Sequence, residues 1–326
     1  MPSAQSRDDD YGSSDQLRLM SKIARMYHER GMRQPQIAAE LHISQSRISR
    51  LLRQAVELGI VRTIVTLPSG VHTDLEENLA QRYHLADVAV VDADGASGEV
   101  IPALAGAAAT YLTETLATGD VVGISSWSAT LLATADIMRP KNGAAVDVVT
   151  QLVGGVGDPR VKVSANRHLD RFSKVTGARP VFMPAPGLVT DPAARRALLQ
   201  DPSVAPALEA WQRLSVALVG IGSLTPSPLL RSSGNATDPD QQDKLRLLGA
   251  VGDVCLRFFD EDGRLVASEF NDRVLGITPE QFREVPRRIA VAGGSEKTVA
   301  IHAALAGGWI NILITDLETA RHLLDA

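Results

Sequence analysis

Three short stretches combine hydroxyls, glycines and one cation in a pattern that suits an anion. In "GISSWSATLL", Ser125, Ser126 and Ser128 lead from an aliphatic run into a helical segment beginning near Thr130. Hydroxyls and the unpaired amides of a helix start are donors that can surround a phosphate. The stretch has no lysine and one preceding glycine, so it is not a nucleotide-type phosphate loop, and a serine-rich helix start is equally an ordinary cap. "QLVGGVGDPR" supplies Gly154, Gly155 and Gly157, which either let backbone approach a ligand or form a flexible loop, with Gln151 as a polar reader at a strand end. In "VAGGSEKTVAIHAAL", Gly293 and Gly294 precede a helix start at Ser295, and Lys297 falls in its first turn. A cation there opposes the helix dipole, which an anionic partner explains; the plain alternative is a solvated lysine. Asp253, just ahead of "VCLRFF", either accepts sugar hydroxyls or starts a strand, and "PAPGLVTDP" reads as a rigid structural turn.

A different chemistry stands in "QPQIAAELHISQSRISRLL", residues 34–52. Ile37, Ala38 and Leu41 share one helical face, with Pro35 tolerated in the first turn. His42 and Ile43 make a turn, Ser44 caps the next helix, and Gly59 ends it. Ile48, Leu51, Leu52 and Val56 are expected inside, while Gln45, Ser46, Arg47, Ser49, Arg50 and Arg53 face out. Such donors suit a helix-turn-helix, whose second helix lies in the major groove. Gln45, Ser46, Arg47 and Ser49 are the expected base or phosphate readers, Arg50 a phosphate contact, and Gln34 joins them at the start of the preceding helix. Upstream, Leu19, Ile23, Met26 and Tyr27 form an amphipathic helix over 15–30, with Ser14 or Asp15 as cap and Gly31 as stop. "GIVRTIVTLP" alternates like the strands of a wing.

Charge separates this head from the rest. Residues 15–62 carry nine Lys/Arg against four acids, within a 326-residue chain of formal net charge −5. A basic segment on an acidic body implies a polyanion-binding module joined to something that does not bind polyanions. No run of about 18 apolar residues occurs, and the N-terminal residues lack a signal-peptide core, so a cytoplasmic protein with a disordered leader over 1–14 is expected. The one cysteine, Cys255, reads as a buried small hydrophobe. The seven histidines show no paired ligand spacing, so neither metal nor cofactor is expected.

Beyond Pro68, aliphatic runs at 87–91, 120–125, 146–152, 214–222, 254–259, 288–293 and 310–315 alternate with helical segments near 98–118, 128–139, 160–176, 191–210, 240–249, 296–307 and 317–324. Continuous apolar runs are the mark of parallel strands covered on both faces. The expected fold is therefore a small winged helix-turn-helix over 15–68 and a doubly wound, Rossmann-like α/β domain over 69–326, with a short helix at 74–84 as a coupling or oligomerisation element. In such sheets ligands sit beyond the carboxyl ends of the strands.

These residues resemble the SorC family of sugar-responsive bacterial transcriptional regulators. "QPQIAAELHISQSRISRLLRQAVELGIV" resembles its DNA-binding head; "MPAPGLV", "ALVGIGS", "GAVGDVCLRFFDEDGRLV" and "AVAGGSEKTVAIHAALAGGWINILITD" resemble its effector domain. The likeness implies an effector domain similar to the ribose-phosphate isomerase and glucosamine-phosphate deaminase fold, adapted for binding, in a tetramer that binds a double-stranded operator and responds to a phosphorylated sugar. It places Ser125, Ser126, Ser128 and Thr130 at the phosphate loop, Gln151, Gly154 and Gly155 near the sugar, and Asp253 and Lys297 at the completion of the pocket beside Gly294. Many relatives have a glycine-rich turn where this chain has Ser126 to Thr130, and no lysine stands there to form a Schiff base, so binding is expected to be noncovalent. The rival expectation is a sugar-phosphate isomerase or deaminase with an accessory head; it needs a carboxylate base, for which Asp253 is the only nominee.

Overall fold

The computed structural model describes residues 14–61, 70–93, 100–125, 127–140, 146–156, 159–233 and 235–326, and the chain forms two compact units, 1–66 and 67–326. Most of the expected leader, the wing residues 62–68, Ser126, Gly157 and positions 98–99 of the first expected helix of the larger unit lie outside the described residues.

The smaller unit consists of α1 (Ser14–His28), α2 (Gln34–Leu41) and α3 (Gln45–Glu57). Ser14, expected in the leader, opens α1. Met20, Ile23 and Met26 of α1 meet Ile37 of α2 and Ile48, Leu51 and Leu52 of α3 in one core. Each fully buried aliphatic of this size contributes about 1.5–3 kcal/mol, which holds together helices too short to persist alone. His42 takes the left-handed conformation (φ 54°) and donates its N–H to the Ala38 carbonyl, ending α2. Ser44 Oγ accepts the Arg47 amide at 3.3 Å, capping α3. Three inward expectations, Val56, Leu19 and Tyr27, are not met in full. Val56 is 55% exposed while Ala55 is buried, because the stripe through Ile48 and Leu51 centres on residue 55, at i+7 and i+4, and leaves 56 at its edge. In α1, Met20 is buried in place of the half-buried Leu19, and Tyr27, in the last turn, is exposed with its ring edge against His28.

The larger unit begins with α4 (Thr73–Tyr83) and β1 (Asp87–Val91), then α5 (Val100–Thr115), β2 (Val121–Ile124), α6 (Ala129–Ile137), β3 (Val148–Gln151), α7 (Pro159–Thr176) and β4 (Arg179–Val181). Next come α8 (Pro192–Leu199), α9 (Ala205–Trp211), β5 (Val216–Val219), β6 (Gly222–Ser223), α10 (Pro228–Ser232), α11 (Pro239–Leu247), β7 (Gly252–Val254) and β8 (Arg257–Phe259). The chain closes with α12 (Pro279–Glu284), β9 (Arg287–Val291), α13 (Thr298–Ala306), β10 (Ile312–Asp316) and α14 (Leu317–Asp325). Seven strands form a parallel sheet in the order β1-β10-β9-β5-β2-β3-β4. Alternate residues of its strands enter two cores. Val122, Ile124, Val149, Leu218 and Ile289 pack with Leu104, Leu112, Leu131 and Phe172 on one face. On the other, Val121, Val148, Ala217, Val219 and Leu313 pack with Trp211, Ile301, Ala304 and Leu323. The doubly wound α/β expectation therefore holds.

Three details differ from the sequence reading. "VCLRFF" is not a central strand: β7 and β8 form an antiparallel hairpin with β6, turning at Cys255 and Leu256, both in the left-handed region (φ 53° and 62°). β4, three residues with Pro180 at their centre, was not expected; it is an edge strand, where a missing N–H is tolerated. The expected helix over 191–210 is two helices, broken after Asp201 by Pro202.

Strand order fixes where a ligand site belongs. From β2 the chain steps outward through β3 to β4, then returns to β5 on the other side of β2 and continues outward to β9 and β10. The reversal between β2 and β5 leaves a crevice at their carboxyl ends.

Candidate functional site

At the carboxyl end of β2, the Ser125 amide extends the sheet by donating to the Leu218 carbonyl at 3.0 Å, and its side chain is buried. Ser128 caps α6: its Oγ accepts the Leu131 amide at 3.3 Å and its carbonyl the Leu132 amide at 3.0 Å. The amides of Ala129 and Thr130 have no acceptor within the helix, so they are the donors left at its N-terminus. Across the crevice, a Cβ on Gly220, just beyond β5, would stand 2.9 Å from Ser128 Oγ, so the β2 and β5 turns touch. Trp127 fills the turn against Leu229 and Leu230. Behind it, buried His168 on α7 donates Nε2–H to the Leu131 carbonyl at 2.8 Å. Burial lowers that imidazole from 6.5 to about 4, against the Leu131 carbonyl and Asp136, which favour the cation.

At the end of β3, Gln151 is 1% exposed; its Oε1 accepts the Met183 amide and its backbone carbonyl the Trp211 indole N–H, each at 2.8 Å. Much of this expected reader therefore braces the strand end. Gly154 has a structural reason to be glycine, since a Cβ there would lie 2.4 Å from the Pro186 carbonyl oxygen and 2.5 Å from that of Ala185. Gly155 differs: its Cβ would meet the Gln151 amide nitrogen at 2.9 Å and the Trp127 ring at 3.7 Å, placing this glycine between two side chains of the site.

At the end of β9, Gly294 adopts φ 97°, and its amide donates to Asp316 Oδ2 at 2.8 Å and Thr319 Oγ1 at 3.0 Å. The Gly294 amide is thus taken up within the chain, by Asp316 and Thr319. Ser295–Lys297 is a 3-10 turn leading into α13. Lys297 is largely desolvated, which lowers its ammonium, while Glu296 and Asp253 pull it back up. Its anionic partner thus includes a carboxylate of this same chain.

Asp253 lies within β7, not ahead of a strand. Its Oδ2 accepts the Leu256 amide at 2.9 Å, closing the hairpin turn over itself. A left-handed residue other than glycine costs roughly 1–2 kcal/mol, and this bond offsets part of that for Leu256. A Cβ on Gly222 would collide with Asp253 Oδ1 at 2.0 Å, so only glycine fits opposite the carboxylate. Burial raises the Asp253 carboxyl to about 6, with the Leu256 amide and Lys297 opposing. Burial and Asp253 push the Cys255 thiol up to about 12 despite a hydrogen bond with the Ser125 hydroxyl, so Cys255 is an inert packing group, as expected from its surroundings.

The larger unit thus brings Ser125, Ser128, Asp253 and Lys297 together around the β2–β5–β9 ends, with Gln151, Gly155 and Trp127 on the β3 side. Gly220, Gly222 and Cys255 were missed as site-shaping residues, although the glycine pair in "VGIGS" was a readable signal. In the smaller unit Gln45, Ser46, Arg47 and Arg50 are exposed on α3, while Ser49 and Gln34 are half-buried. Among the described residues Arg47, Arg50 and Arg53 have no acidic partner, which leaves three cations on one helix unpaired. Among the described residues no helix is long and apolar enough to cross a membrane.

Residues 69–325 match the family model described as "Putative sugar-binding domain". The chain is 33% identical over 316 residues to the deoxyribonucleoside regulator of Bacillus subtilis (strain 168), spanning 95% of this chain and 98% of that protein. It is 31% identical over 320 residues to the sorbitol operon regulator of Klebsiella pneumoniae, spanning 96% and 99%. The crystal structure of the full-length sorbitol operon regulator SorC from Klebsiella pneumoniae is similar with a TM-score of 0.71 and 30% identity, covering 95% of this chain and 100% of that one.

Proposed function

The chain belongs to the SorC family of sugar-binding transcriptional regulators, and from that premise we propose that it binds operator DNA under the control of a phosphorylated sugar or polyol held noncovalently in its larger unit. In this reading residues 15–68 bind DNA and residues 69–326 bind the effector and assemble the homo-oligomer, a tetramer. Arg47, with Gln45, Ser46 and Ser49, reads base edges or phosphates in the major groove, and Arg50 and Gln34 fix the register. Ser125, Ser126, Ser128 and Thr130 hold the effector phosphate with the first amides of α6. Lys297 supplies the cation, Asp253 accepts sugar hydroxyls, and Gln151, Gly155 and the Gly154 and Gly294 turns shape the wall.

One observation carries the reading: buried Asp253 and half-buried Lys297 act on each other electrostatically near the carboxyl ends of β5 and β9, beside the hydroxyl-rich turn of β2 and the topological reversal. An effector acts only through unequal affinity for two states. A thermal-shift panel of pentose, hexose and hexitol phosphates tests the reading, since a ligand at 100 times its dissociation constant stabilises by about 2.7 kcal/mol. Lys297→Ala is expected to abolish effector response while leaving operator binding intact; unchanged effector sensitivity in a band-shift titration counts against the assignment.

The second reading, a sugar-phosphate isomerase or deaminase, has one observation in its favour: a carboxyl raised to about 6 suits a general base at neutral pH. Turnover of any phosphate in the same panel, lost in Asp253→Asn, would select it.

A further inference from the structure

The chain has three tryptophans. The Trp211 indole N–H donates to the Gln151 carbonyl at 2.8 Å, and that of Trp309 to the Gly263 carbonyl at 2.7 Å. Trp127 is equally buried, 7% exposed, yet its Nε1 has no acceptor among the described residues. A buried donor without a partner is destabilising and rare in a native protein, so its persistence asks for a reason.

Its position supplies one. Trp127 sits between Ser125 and Ser128, in the turn that opens α6. Its ring packs on Leu229 and Leu230, whose apolar side chains offer no acceptor. Cζ2 lies 3.7 Å from where a Gly155 Cβ would be, and within the indole Nε1 is joined to Cζ2 through a single ring atom. The N–H edge is therefore the edge bordering the Gly155 turn. A Cβ at 155 would press on the Gln151 amide at 2.9 Å, and a side chain larger than alanine would also enter the space beside the Trp127 ring, so this glycine keeps that edge clear.

Resting on the sugar-phosphate reading above, we propose that Trp127 Nε1 donates a hydrogen bond to a phosphate oxygen of the bound effector and so sets the preference for phosphorylated over free sugars. An indole N–H only donates, as do the Ala129 and Thr130 amides that follow it in the turn opening α6. A phosphate dianion, whose oxygens only accept, satisfies all three at once. A sugar hydroxyl brings a donor of its own into a place already full of donors. Because Nε1 is buried, occupancy requires the side chains packed around Trp127 to shift.

Trp127→Phe in the full-length chain keeps an aromatic ring against Leu229 and Leu230 and deletes the N–H. Titration calorimetry with the best-binding sugar phosphate is expected to show a loss of tenfold or more. Affinity for the unphosphorylated sugar and for operator DNA should stay unchanged. The wild-type chain labelled with 15N-tryptophan gives a second measurement that needs no variant to fold. On adding the sugar phosphate one indole resonance, that of Trp127, should move while those of Trp211 and Trp309 stay; inorganic phosphate alone serves as the control for a simple anion effect. If the wild type binds a sugar phosphate while the Trp127 indole resonance is unmoved, or Trp127→Phe binds it as tightly, the assignment of Trp127 is wrong and the function stands. If the wild type binds none of the panel, the sugar-phosphate reading and this inference fall together.

Discussion

Replacing Asp253 with asparagine tests the electrostatics of the site directly. The Asp253 carboxyl is raised from 3.8 to about 6, chiefly by burial. Roughly two units at about 1.4 kcal/mol each make the ionised carboxylate about 3 kcal/mol less stable in the folded chain than the neutral acid. Between these two pH values the folded protein binds the proton that the unfolded chain has released. The group's contribution is therefore fully present below pH 4 and lost as pH rises through about 6. Asparagine keeps an acceptor for the Leu256 amide and never ionises. Asp253→Asn should thus match the wild type near pH 4 and exceed it by about 1–3 kcal/mol at pH 8, the range reflecting that Lys297 loses a counter-charge. The wild-type profile alone hides this effect. His168, lowered from 6.5 to about 4, loses a comparable stabilisation as pH falls across nearly the same interval, with the opposite sign. Only the difference between variant and wild type isolates Asp253. Urea unfolding of both proteins at half-unit steps from pH 4 to 8 measures it. A difference that stays constant with pH, or a less stable variant at pH 8, refutes the reasoning.

Two further substitutions separate structural from functional roles. Gly154→Ala puts a methyl 2.4 Å from the Pro186 carbonyl oxygen, a backbone atom that cannot swing aside, and should cost about 1–3 kcal/mol in urea unfolding. Gly155→Ala meets only the end of Gln151 and should unfold nearly as the wild type does. Arg47→Ala should weaken operator binding by about 1–3 kcal/mol if it reads a base; an equal loss on random duplex makes it a phosphate contact instead.

The parts of the fold that were legible are those with long, regular patterns. Six of the seven parallel strands announce themselves as aliphatic runs, and the turn from α2 to α3 is written in His42 and Ser44. Short-range cancellation hid the rest. "VCLRFF" has the composition of a buried strand, but Asp253 reaches forward to the Leu256 amide and folds it into a hairpin without a glycine to signal the turn. β4 has too few residues to show a period. In the site, the serine-rich helix start pointed to a cap, which Ser128 supplies. The anion expected near Lys297 was a ligand, and the carboxylates of Glu296 and Asp253, which also act on it, were not foreseen. What could not be read was ownership of the backbone donors. The Gly294 amide is claimed by Asp316, twenty-two positions away in sequence, and Gly154 answers to a carbonyl more than thirty residues downstream.

That Asp316 carboxylate ties together more than one turn. Oδ2 holds Gly294 and the Thr319 hydroxyl, while Oδ1 takes the Thr319 amide that starts α14. The far end of α14 is moored in turn, its Leu323 carbonyl to the Tyr83 hydroxyl at 2.8 Å and its Leu324 carbonyl to the Arg82 guanidinium at 2.6 Å. The segment bearing Lys297 is thus hitched, through one carboxylate and one short helix, to α4, the first element of the larger unit after the stretch that joins the two units. The tether ends at Arg82 and Tyr83, in the last turn of α4, so the Lys297 segment and the turn that leads into β1 share one chain of hydrogen bonds.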